Sequence, residues 1–279
     1  MIPVALALGA GIAWGCSDFL AGLKARRLAL LWILLVSQAT GLALVLVAAV
    51  ASGAALPSGH AALLAAGAGI AELIGFAAFY RALAVGAMSI VAPVSATAAL
   101  VPILVGVAAG EPPLPVQAAG MALALAGAAL ASLEPGTADG GRRAAAGVGL
   151  ALLAALAFGT FFVAMDLAAD DGALWAVTIN RAAAVGVVLG LVLALRRPCP
   201  LDRGTLSPLA AVGALDVAAN TMFAIALTLG MASIVSVLGS LYPLATVVLA
   251  AAILHERVTA GQRTGVAAAL AGIGLVSLA

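Results

Sequence analysis

Apolar positions in this chain do not alternate, and polar residues do not form a stripe along one helical face. Leu/Ala-rich runs continue for about twenty residues before a short polar or Gly/Pro break. Reading between the breaks predicts ten helical spans, at 3–23, 30–51, 61–81, 88–109, 115–133, 146–168, 173–195, 206–228, 232–254 and 262–279. Each is close to the ~20 residues a helix needs to cross a bilayer. The punctuation is Lys24-Ala25-Arg26-Arg27, Glu111-Pro112-Pro113, the Gly/Asp/Arg stretch 136–143, Asp170-Asp171-Gly172, Arg196-Arg197-Pro198 and His255-Glu256-Arg257. The connections near 82–87 and 228–231 lack strong breakers. Unbroken runs argue against a β-barrel, whose strands alternate. The first run is expected to be a span and not a cleaved leader: no basic residue precedes it, and bulky Trp14 stands where a cleavage site needs a small residue.

Composition sharpens this picture. Of 279 residues, 65% are apolar and 8% charged, and the mean hydropathy is +1.26. An ordinary soluble domain is ~45–50% apolar and ~25% charged. Twelve Lys+Arg and eleven Asp+Glu cannot cover a soluble surface, which excludes a soluble enzyme, a nucleic-acid binder and a disordered chain. A net charge of +1 makes no basic field for a polyanion, so no nucleic-acid partner is expected. Cys16 and Cys199 form neither a zinc nor a disulfide framework. No Ser-His-Asp set, metal spacing or phosphate-binding loop stands in a suitable context, so neither enzymatic activity nor a cofactor is expected. The expected class is an all-α integral membrane protein whose surroundings are the lipid bilayer of the cell (inner) membrane. Eleven of the twelve basic residues fall in the connections after spans one, three, five, seven and nine, and the twelfth is Arg181. By the positive-inside rule those connections are cytoplasmic and both termini external.

The two halves repeat at an offset of ~144 residues. Trp14-Gly15 matches Phe158-Gly159, and Trp32 matches Trp175. Glu72, Phe79, Ala82, Leu83 and Gly86 match Asp216, Phe223, Ala226, Leu227 and Gly230, and Ser89-Ile90-Val91 returns as Ser233-Ile234-Val235. Glu111, Gln117 and Gly120 match Glu256, Gln262 and Gly265. The expected organisation is a first five-helix repeat over 1–135, a cytoplasmic linker over 136–145 and a second repeat over 146–279. Five is odd, so the second copy enters the membrane inverted. The charges agree: basic 24–27 corresponds to acidic Asp170-Asp171, and the basic-free connection 52–60 to Arg196, Arg197 and Arg203. Inverted repeats are an architecture of secondary transporters, with substrate bound near the midplane between the halves.

Several of these residues also carry a likeness. Trp14-Gly15, Ala82-Leu83, Ala226-Leu227 and above all Ser240-Leu241-Tyr242-Pro243 followed by Glu256-Arg257 and Gly265 resemble the EamA-type members of the drug/metabolite transporter superfamily. The resemblance implies a ten-helix carrier that exports amino acids, related metabolites or drugs. The first copy departs from it, since Pro102 lies closer to Glu111 than Pro243 does to Glu256.

An ionisable residue at a helix centre costs ~2.5–3.5 kcal/mol on insertion, which singles out Asp18, Glu72, Arg181 and Asp216. Phe76 and Phe79 follow Glu72 at i+4 and i+7, and Asn220 and Phe223 follow Asp216 at the same intervals. Such matched faces suit a central cavity where carboxylates hold a cation or proton and aromatic rings accept an amine or an apolar body. The plainer reading makes the acids helix–helix contacts, or neutralises them with Arg181. Arg181 keeps its proton and requires an anion, either one of these acids or a substrate carboxylate; the first half carries Gln38 at the equivalent place. Asp18 shares a stripe with Gly11, Gly15 and Gly22, which reads as a packing seam or as a functional carboxylate. Ser233, Ser236, Ser240 and Tyr242 lay hydroxyls along span nine. There Pro243 frees carbonyls to face a cavity, unless the hydroxyls bond back to their own helix. Asp166, Asp170 and Asp171 read as a solvated edge, and His255 with Glu256 and Arg257 as a cap or surface pair.

Glu72, Asp216, Asp18, Arg181, Asn220, Trp14, Phe76, Phe79, Phe223, Ser240 and Tyr242 make the expected substrate- and proton-binding set. The leading expectation is a secondary transporter exporting a small polar metabolite or drug, with proton coupling through Glu72 or Asp216. A lipid flippase or scramblase, or a non-transporting channel or structural protein, is the alternative. A small-molecule substrate is the expected partner, and a homodimer is compatible with the pattern.

Overall fold

The computed structural model describes residues 1–25, 28–85, 91, 94–131, 141–196, 202–253 and 259–277. Among them every regular element is helical: α1 (Ile2–Ala25), α2 (Leu30–Ala51), α3 (Gly59–Val85), a 3-10 turn (Thr97–Ala99) running into α4 (Leu100–Ala108), and α5 (Pro115–Ala131). There follow α6 (Gly141–Ala169), α7 (Ala173–Ala194), α8 (Arg203–Leu227), α9 (Ala232–Gly239), α10 (Tyr242–Ile253) and α11 (Ala260–Ser277).

Helix ends fall where local chemistry requires them. Gly53 (φ 65°) closes α2 and Gly110 (φ 87°) closes α4, conformations in which a side chain would be strained. Helix α8 starts on a reciprocal cap: Asp202 accepts from the Thr205 backbone N–H at 2.8 Å while the Thr205 hydroxyl accepts from the Asp202 N–H at 3.0 Å. The same hydroxyl also bonds the Asp202 carboxylate, and these bonds hold that carboxyl below its usual range. Helices α5 and α11 share another start signal, in which Gln117 reaches back to the Leu114 N–H and Gln262 to the Thr259 N–H.

Six helices, α1–α3 and α6–α8, are long and apolar enough to cross a membrane. The ten expected spans therefore meet six long helices and a set of shorter ones. Span four begins among residues outside the described ones, and α5 has only 17 residues. Span nine is divided. Pro243 has no N–H to give the Gly239 carbonyl, so α9 ends at Gly239 and α10 starts at Tyr242. Gly11 of α1 lies against the Leu238 and Gly239 carbonyls, and the Leu238 carbonyl still accepts from the Leu241 N–H at 3.3 Å. Ser240 bonds back to Val237 O at 2.9 Å. Helix α6 begins at Gly141, inside the expected linker; residues 132–140 and the His255-Glu256-Arg257 group lie outside the described residues.

Large apolar side chains face outward while charged and amide groups are enclosed. Leu63, Val47 and Leu193 are 75%, 68% and 67% exposed, whereas Arg181 and Asn220 are fully buried. Lipid tails accept the first group, and the second must find partners inside.

Helix α1 packs on α8 and α3 on α6, while α2 lies against both α7 and α8, and α3 against α7. Close approaches recur at the repeat offset. A side chain at Gly69 would strike the Asn180 carbonyl, and one at Gly213 the Ser37 carbonyl. Gly15 sits on Tyr242 and Ala245 as Gly159 sits on Ala98 and Val101. Helices α5 and α11 meet along glycines: Gly120 faces Gly272, while Gly127 faces Gly265 and Ala269, so the two run antiparallel. At one end of the bundle the 52–58 connection docks on the α6–α7 turn. Asp171 accepts from the Ser58 N–H at 2.9 Å, and Trp175 donates to Ala54 O at 3.0 Å.

Candidate functional site

Midway along α2, α3, α7 and α8 the four helices turn Gln38, Glu72, Arg181 and Asp216 toward one point. Arg181 stands at its centre, fully buried. Its Nη2 donates to Glu72 Oε1 at 2.9 Å and its Nη1 to Asp216 Oδ2 at 2.7 Å. Nη1 also donates to Gln38 Oε1. Asn220 Nδ2 donates to the same Glu72 oxygen at 3.1 Å, and Trp14 Nε1 donates to Asn220 Oδ1 at 2.8 Å. A guanidinium in a membrane interior requires such anions, and its planar fork lets it span two of them. The repeat is written into the cluster, because Glu72 corresponds to Asp216 and Gln38 to Arg181. Two acids face one base, so the fully ionised group carries one negative charge. Of the two readings open for Arg181, the ion pair is the one formed here, and it engages both acids.

Around this core lie two cavities. The larger, about 480 Å³ with its mouth included, is bounded by α1, α3 and α6 and the α9–α10 break. Trp14, Asp18, Glu72, Phe76 and Phe79 line it, as do Ser240 and Tyr242 at the break. Its far wall is Phe158, Phe161 and Phe162 of α6. The rings interlock: Phe158 meets Phe76 edge-on with centroids 5.4 Å apart, and Tyr242 meets Phe79 the same way at 6.5 Å. The smaller cavity, about 260 Å³, holds Asp216, Gln38, Ser37, Ser17 and Tyr80. Asp18 and Phe76 line both. Asp18 accepts one hydrogen bond, from the Tyr80 hydroxyl at 3.3 Å.

The set expected from sequence is thus partly gathered and partly divided. Glu72 and Asp216 do not face each other across one hollow; Arg181 stands between them and each acid borders a different cavity. Asn220 holds Trp14 and Glu72 from behind the wall. Phe223 is fully buried and packs against Trp14, with centroids 5.2 Å apart, and against Phe162 at 4.9 Å. Asp18 is a cavity residue, and its seam narrows to Gly11 and Gly15, because nothing lies within 4 Å of a side chain placed at Gly22. The α6 wall and Tyr80 were missed. The match of Trp14 to Phe158 was the available signal for the first; the other residues of that wall carry none. Among the described residues no group of three His, Cys, Asp or Glu side chains could hold a metal ion.

A lipid-facing exterior, a charged core and a cavity among the helices define a multi-pass α-helical membrane protein. Residues 145–278 match the family described as the EamA-like transporter family, a match consistent with the drug/metabolite transporter superfamily. A solved crystal structure superimposes with a TM-score of 0.79 at 18% identity, over 99% of this chain and 97% of that one. At that identity the likeness is one of fold. No curated protein is significantly similar in sequence.

Proposed function

We propose that the protein is a secondary carrier exporting a small polar metabolite or drug by alternating access, with a proton as coupling ion. The observation that carries this reading is the Arg181 cluster, in which one base is shared between the two acids that the repeat makes equivalent. A proton on either carboxylate cancels the surplus negative charge and weakens that side's hold on Arg181. The cavities beside Glu72 and beside Asp216 then respond oppositely to one event. In this reading the halves are inverted five-helix units of a ten-helix carrier. The antiparallel course of α5 and α11 and the paired contacts of Gly69 and Gly213 support that arrangement. The distribution of basic residues supports cytoplasmic odd-numbered connections with both termini outside, in the cell membrane.

Reconstitution of the purified protein in vesicles tests it. Substrate flux is expected to follow an imposed pH gradient, and Glu72→Gln and Asp216→Asn are expected to uncouple flux from it. Variants that keep wild-type rates and wild-type response to the gradient would refute the mechanism.

A further inference from the structure

We propose that the larger cavity takes an organic ammonium ion carrying an aromatic or similarly apolar body, in preference to a zwitterion or an anion. This rests on the carrier reading and names its substrate class.

The charge on the cavity wall sets the preference. Two acids, Asp18 and Glu72, line the cavity, and among the described residues no base does. Arg181, which could have received a substrate carboxylate, is fully buried behind Glu72 with Nη1 and Nη2 already engaged. The acids keep accepting capacity. Glu72 uses Oε1 for both Arg181 and Asn220, while Oε2 is buried with no protein partner among the described residues. Asp18 receives a single bond at 3.3 Å, so lone pairs remain for an N⁺–H donor. A ligand carboxylate in the same space meets two like-signed neighbours and loses its water without compensation.

The rest of the wall fits the other end of such a ligand. Trp14, Phe76, Phe79, Phe158, Phe161 and Phe162 contribute rings whose faces attract a cation and whose area accepts an apolar body. Asp18 is then the residue that selects for charge. Unlike Glu72 it has no cation beside it among the described residues, and it stands where the larger cavity meets the smaller one.

The test is a charge series on one scaffold, titrated into the full-length protein in nanodiscs at neutral pH by calorimetry. The probes are 2-phenylethylammonium, phenylalanine, 3-phenylpropionate and neutral 3-phenylpropanol. The ammonium ion is expected to bind at least about tenfold more tightly than the zwitterion or the anion, the size of one charged hydrogen bond. Asp18→Asn is expected to erase about tenfold for the ammonium ion and to leave the alcohol unchanged, and Asp18→Glu to restore the preference. Equal or tighter binding of phenylalanine or phenylpropionate, no binding of any probe, or an ammonium affinity indifferent to Asp18→Asn overturns the proposal. The wild-type series alone decides if the variants do not fold. Counterflow in vesicles separates this from the carrier reading. Ammonium binding without counterflow refutes the carrier and leaves the site standing, whereas counterflow that favours the zwitterion refutes the site and leaves the carrier.

Discussion

Replacing Arg181 by Met removes the cation on which the centre of the bundle depends. The methionine fills much of the space, so the loss is electrostatic. Glu72 and Asp216, 3% and 5% exposed, are left without their counter-charge, and Gln38 without its donor. Breaking a buried ion pair by deleting one partner costs ~3–5 kcal/mol. An ordinary interhelical hydrogen bond in a membrane protein contributes ~0.6 kcal/mol, so the two cases are easily told apart. Unfolding of the variant in mixed micelles is the measurement, and a loss of about 3 kcal/mol or more is the expected result. The companion is the triple variant Arg181→Met, Glu72→Gln, Asp216→Asn, which is neutral and retains hydrogen-bonding groups. It is expected to recover most of the loss. A single variant within ~1 kcal/mol of wild type, or a triple variant no more stable than the single, would show that the cluster is not held together by charge.

Other expectations concern the frame around this centre. Gly69→Ala and Gly213→Ala push a methyl into the Asn180 and Ser37 carbonyls, so each is expected to lose about 1–3 kcal/mol in the same unfolding assay. Gly67→Ala and Gly186→Ala, with nothing within 4 Å, are expected to be neutral or to gain up to ~1 kcal/mol from helix propensity. Trp14→Phe deletes the donor at 2.8 Å to Asn220 and is expected to cost about 1–3 kcal/mol, with Asn220→Leu added to Trp14→Phe costing less than the sum of the two. The Ser58 hydroxyl and N–H hold the Asp171 carboxyl below its ordinary 3.8. Its contribution is therefore complete above that value and is lost as pH falls through the lower, folded one. Fluorescence of the neighbouring Trp175 is expected to stay flat from neutral pH down to about 4 and to change only below it, and Asp171→Asn to abolish that change.

Much of the frame could be read from the chain, and the reason is one of solvent. Residues that bilayer and protein interior treat differently were legible. Glu72, Arg181 and Asp216 must turn inward wherever they stand, and they do. Helix α2 has the expected bounds, 30–51, because glycine and polar residues end the run. Rings and aliphatic side chains were not sorted, because lipid is as apolar as the core. Nothing in the sequence tells Phe161 and Phe162, which line a cavity, from Phe223, which is packed behind it. Nor does it tell that Arg181 would take both acids at once and so divide one expected hollow into two. That outcome depends on where the guanidinium stands, with Gly69 holding α3 against α7 at Asn180 and Gly213 holding α8 against α2 at Ser37. The interruption of span nine was marked by Pro243, yet the neighbour of the Gly239 carbonyl is Gly11, more than two hundred residues upstream.

The position of the arginine in the chain has a bearing on biogenesis. Synthesis begins at the N-terminus, so Glu72 and Gln38 are already inserted when the segment bearing Arg181 leaves the ribosome, and Asp216 follows 35 residues later. The nascent first half therefore offers acceptors for a helix that would otherwise enter the bilayer with a bare charge. A chain lacking Glu72 would hold that charge unmatched until translation had passed Asp216, and quality-control proteases would meet it first.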